Sequence, residues 1–315
     1  DAAMDGVLPP IAIAGGGAIS ELKPDGAQGR QLQASATVSL DVLGFVQLDG
    51  GLSFQKSTES VVLSGESATR SVDVLRVGGT SLNVFAGING NKANRMGLNL
   101  GNVEFGMALM LESGVATPRQ WLSLQATASS AAFLGVSDLT VSARDIAIEI
   151  NRASSDGKVV DYSAGKTSLS VATSRSTSLA LSMAGSQGVL TRASGHLELN
   201  VYGFVQLEGD FALNSSDATL KLAGGVNTDV RLLTLGAHDV RAFAGVAGAS
   251  SDRVGLSLSG VDVALVLAGE RNAATPRQWI SLQGSAAQAS LSGVSGVTLA
   301  GQDMALQLNQ AASDG

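Results

Sequence analysis

The chain has 315 residues, 44% hydrophobic and 15% charged, with 20 Lys plus Arg against 27 Asp plus Glu and a formal net charge of −7. That apolar fraction excludes a disordered polar tail, and an acidic balance without a basic run excludes a nucleic-acid-binding face. The lack of cysteine excludes disulfide scaffolds, thiolate metal sites and thiol catalysis.

Aromatic residues make up only 4%, and 39 residues are glycine, so apolar volume comes from Leu, Val, Ile and Ala between many tight turns. Thin layers of strands suit this composition better than a thick enzyme core. The chain opens on DAAMDG at 1–6, continues through Pro9-Pro10 and reaches a glycine run at 15–17. Those glycines open no helix after a strand, so they make no phosphate loop. Residues 1–34 form an atypical start. From there period-two alternation takes over, in TVSLDVLGFVQL (37–48), SVDVLRVG (71–78), VEFGMALML (103–111) and WLSLQATAS (121–129). In DLTVSARDIAIEIN, Leu139, Val141 and Ala143 point one way, and Ile146, Ile148 and Ile150 then share a face. Gly, Asn-Gly and Ser-Asp-Gly punctuate the runs as hairpin turns require.

ATPRQWLSLQ at 116–125 returns as ATPRQWISLQ at 274–283, an offset of 158, and GFVQLD at 44–49 returns as GFVQLE at 203–208, an offset of 159. NRASSDG (151–157) returns as NQAASDG (309–315), and DAAMDG has the form of the same tail. The division is therefore 1–157 and 158–315, with both ends at one phase, as expected of an excerpt from a longer array. The class is all-β: a tandem β-repeat array of antiparallel strands, in stacked sandwiches or a broad solenoid-like pile.

Several residues are candidates for chemistry. Trp121 with Arg119, and Trp279 with Arg277, offer a sugar-stacking platform and a hydrogen-bonding fork; the alternative is a strand anchor with the Arg stacked over the ring. Asn151, Asp156 and Asp161 cluster at the unit boundary, where their oxygens suit calcium; the alternative is an Asx turn. His196 and His238 occur only in the second unit, with no oriented partner legible, which favours surface strand positions over a general base. Asp145 and Glu149 become Asp303 and Gln307, so no carboxylate pair is repeated. No nucleophile elbow, zinc-protease, Walker or S-x-x-K motif is present, and the chain reads as non-enzymatic with no required cofactor.

The words WLSLQA, GVSDLTVSA and INRASSDGKVVDYS resemble repeats of giant bacterial surface, adhesin-like proteins. The resemblance covers most of both units and implies an extracellular, cell-surface role as a spacer, fibre or attachment segment. Its partners would be neighbouring repeat units of the same or another chain, and a surface or glycan target. The chain lacks the calcium-binding nonapeptides of some such proteins.

Three functions follow. The first is a structural or adhesive repeat giving length and stiffness. The second is a lipid-binding β-groove, like the taco-shaped sheets of bridge-type lipid carriers, which suits a mean hydropathy of +0.24 and requires a continuous exposed apolar face. The third is a carbohydrate-binding module, which requires Trp121 and Trp279 exposed on one face.

Overall fold

The computed structural model describes residues 32–310 apart from 223, 249 and 251, together with strands β1 (Ile11–Ala12) and β2 (Glu21–Leu22), which pair with each other. Residues 1–6, Pro9-Pro10, the glycines at 15–17 and the Asp314-Gly315 tail lie outside the described residues.

The described chain is all-β. Twelve strands form one antiparallel sheet that does not close into a barrel. The first six are β3 (Leu32–Val42), β4 (Val46–Val62), β5 (Thr69–Ile88), β6 (Met96–Glu112), β7 (Gln120–Leu134) and β8 (Leu139–Arg152). Segment 153–189 follows, carrying the small hairpin β9 (Ser170–Ala172) and β10 (Ser178–Ala180) and a 3-10 turn at Gly185–Gln187. The last six are β11 (Leu190–Val201), β12 (Val205–Lys221), β13 (Asn227–Val246), β14 (Val254–Glu270), β15 (Gln278–Ser292) and β16 (Ala300–Gln310). Each pairs with its sequence neighbour, and β11 pairs with β8 across the inserted segment.

The offset that aligns the sequence also aligns the strands, so β4 returns as β12 and β5 as β13. The units meet edge to edge in a single sheet rather than as stacked sandwiches. Pairing β8 with β11 satisfies the backbone groups of two edges at once; stacked units would each leave two edges open.

Turns repeat too. Leu43 and Gly44 take φ of 53° and 71° between β3 and β4, and the Gly44 N–H donates to Asp41 Oδ1 at 2.7 Å. Tyr202 and Gly203 repeat the turn, the Gly203 N–H donating to Asn200 Oδ1 at 2.9 Å.

A row of irregularities crosses the sheet near mid-strand. The register shifts between Asp49 and Gly51, between Gly79 and Leu82, between Ser194 and His196 and between Ala237 and Val240. Ser81, Asn102, Asp145, Asp239 and Asp303 adopt positive φ along this row. Such bulges bend and twist a strand while pairing continues on both sides.

Segment 153–189 belongs to the first unit by packing, although the sequence division places 158 onwards in the second. Val160, Tyr162, Leu169, Val171, Leu181 and Met183 form one buried cluster with Val61, Val72, Val74, Met110 and Trp121. This is the core of the molecule, a cover laid over one end of β4–β8.

Candidate functional site

The two faces of the sheet differ sharply in chemistry. Directly paired residues on neighbouring strands share a face. Val46, Ala86, Leu98, Phe133, Val141, Leu199, Leu207, Ala242, Leu258 and Ala289 form one such row across ten strands with no polar member. Beyond the bulges, Phe54, Val77, Met107, Leu124 and Ile150 form a second row in the first unit. Leu213, Leu235, Leu265, Leu282 and Leu308 form its counterpart. β11 pairs with β12 without a shift, so its odd-numbered residues share one face; Leu199 sits opposite Val141 and Ala193 opposite Ile148. The rows on either side of the bulges therefore lie on the same face. Nothing covers it among the described residues: Phe54 is 47% exposed, Leu213 43% and Leu306 59%.

The opposite face mixes polar and apolar side chains, with Arg76 beside Val72 and Val74, and in the first unit carries the cover. Gln55, Arg76, Ala108, Ser123 and Asn151 lie in one row and are all buried. Tyr162 reaches down from the cover to donate to Ser123 Oγ at 2.8 Å, and burial pushes its phenol well above the usual range. Arg119 clamps Glu112 at 2.7 Å and Asp156 at 2.6 Å, and Lys158 pairs with Glu66.

These ion pairs set an acid response. The Arg119 hydrogen bond holds the Glu112 carboxyl below its ordinary 4.5, and Lys158, then Arg70, do the same for Glu66. A carboxyl depressed in the folded state contributes stability that is present above 4.5 and lost as pH falls through the depressed value. Segment 153–189 is therefore expected to open in acid before the sheet does, read as faster hydrogen exchange there than in β5 and β6.

The calcium candidates do not converge. Asn151 is buried, its Oδ1 accepting from Ser123 Oγ at 3.1 Å and its Nδ2 donating to the Val160 carbonyl at 2.8 Å. Asp156 is held by Arg119 and the Lys158 N–H. Asp161 accepts from the Ser163 N–H and hydroxyl and from the Gly185 N–H; burial acts to raise its carboxyl, and these bonds outweigh it and hold the group low. Among the described residues no group of three or more His, Cys, Asp or Glu side chains is placed to hold a metal ion. Thermal unfolding is expected to be unchanged by millimolar calcium or by EDTA; a rise of many degrees with calcium would show that these oxygens leave their protein donors for the ion.

Trp121 and Trp279 lie at equivalent positions, each with its arginine 5.2 Å from the ring. Trp121 is 3% exposed and donates from Nε1 to the Lys158 carbonyl at 3.0 Å, so it anchors the cover and presents no ring face to a sugar. Trp279 is half-buried, and Arg277 is clamped to Glu270 at 2.8 Å.

Each histidine does have a partner, which the sequence hides because it comes from an adjacent strand. His196 Nδ1 lies 2.8 Å from Asp210 and His238 Nδ1 2.7 Å from Asp262. Both histidines line a shallow depression with Asp145, Ala212 and Gly236. No helix among the described residues is long and apolar enough to cross a membrane. No protein-family model, curated protein or solved structure matches this chain.

Proposed function

We propose that the chain is a repeat segment of a lipid-binding β-sheet, on whose open face acyl chains lie. The observation that carries this reading is the unbroken apolar row across ten strands, on a face that leaves Val46, Leu98 and Phe133 exposed. At ~4.8 Å per strand the row runs roughly 45 Å, a far larger apolar patch than a soluble monomer leaves open without a ligand. Strands of 17 and 20 residues exceed the ~10 that cross a bilayer, which suits lipid lying along the sheet. The test is native mass spectrometry of the purified chain with organic extraction, followed by titration with a fluorescent phospholipid. Co-purified lipid and saturable uptake are expected; neither extract nor uptake would overturn the reading.

A second reading is a structural repeat of an extracellular bacterial surface array. Its support is the sheet running through the unit junction by β8–β11 pairing, which adds length without a flexible joint. No observation favours a glycan target.

A further inference from the structure

The two units present the same strands in the same order, yet among the described residues only the first has its polar face covered. There the β9–β10 hairpin sits on a floor of small residues. A Cβ on Gly78 would lie 2.1 Å from the Ala172 carbonyl oxygen, and one on Gly106 3.1 Å from Val171. The matching floor of the second unit includes Ala212 and Gly236, and nothing lies within 4 Å of a Cβ built on Gly236. This floor opens into a depression of about 460 Å³. Beside it Ser281 and Asn309 are exposed, where Ser123 and Asn151 are buried.

The sheet edges tell the same story. β3 and β16 are its two outermost strands, and they are the repeats of β11 and β8, which pair with each other at the centre. β8 is strand from Leu139 onwards, with Val201 opposite Leu139 and Leu199 opposite Val141. The matching residues Val297 and Leu299 precede β16, outside the strand, and are 51% and 52% exposed.

We propose that a second copy of this chain docks at this end, adding its β3 to β16 in the register that β11 holds on β8. Copies then join head to tail in one continued sheet. The register places Val42 opposite Val297, Leu40 opposite Leu299 and Gln33 opposite Gln307, so apolar residues meet on the open face. Such a contact is heterologous and does not close on itself, so it builds filaments. The proposal rests on the structural reading, that units share one sheet, and is independent of lipid uptake.

Disulfide trapping tests it, since the chain has no cysteine of its own. Directly opposed residues have Cα atoms ~4.5–5.5 Å apart, within disulfide reach. Full-length Gln33→Cys and Gln307→Cys chains are mixed under mild oxidation, beside an out-of-register mixture of Gln33→Cys with Gln302→Cys. The in-register mixture is expected to give about tenfold more covalent dimer. Equal yields from both mixtures, or no dimer from either, overturn the docking. A chain carrying Glu149→Cys and Arg192→Cys closes an internal disulfide if the units share one sheet. Failure there overturns the structural reading itself; success there without intermolecular cross-links overturns the docking alone.

Discussion

Replacing Trp121 with alanine is expected to cost about 3–5 kcal/mol of unfolding free energy, and the same replacement at Trp279 about 1–2 kcal/mol. The two tryptophans sit in the same repeat word with the same arginine partner, yet one lies under the cover and the other on an open floor. Trp121→Ala leaves a cavity among Val74, Met110 and Met183 and strips the Lys158 carbonyl of one of its two donors, the other being the Ser154 N–H. Trp279→Ala removes a half-buried ring that has no such roof. Denaturant unfolding of both variants checks this. Equal losses would mean that segment 153–189 does not distinguish the two units.

Placing a charge on the open face is expected to abolish lipid uptake with little change in stability. Leu265 lies mid-row between Leu235 and Leu282. Leu265→Lys removes an apolar contact worth about 1.5–3 kcal/mol to a bound chain and sets an ammonium against it, so affinity should fall at least about tenfold. Because nothing packs on Leu265 from above, its loss leaves no cavity in a core. Ala264→Lys, one residue away on the polar face, is the control and should bind as the parent does. Equal losses at both positions, read by fluorescent phospholipid titration, would contradict one-sided binding.

Much of the fold was legible in the sequence. Alternation declared the strands, and the recurring T-P-R-Q-W word placed β7 and β15 at equivalent positions. The change of phase at Arg144-Asp145 was legible too, but its meaning was not. Leu139, Val141 and Ala143 share their face with Ile146, Ile148 and Ile150 because Asp145 takes a positive φ at a bulge and resets the count. Alternation reports that one face is apolar; it does not report what lies above either face. The ownership of segment 153–189 was hidden for a related reason. Its partners, such as Val61 and Val72, are far away in sequence, and no local pattern records that Tyr162 descends on Ser123. The calcium candidates were read from residue type. Their engagement with Ser123, Arg119 and Ser163 is again long-range or turn geometry that composition does not carry.

The most direct test of the proposal that lipid binds on the open face is photolabelling with a diazirine-bearing fatty acid, with the adducts mapped by peptide mass spectrometry. Adducts are expected in both units on residues of the apolar rows, among them Met107, Leu124, Leu235 and Leu282, with none on the polar-face residues Gln125 and Gln283. Adducts confined to the polar face, or none above the level of a denatured control, would contradict it.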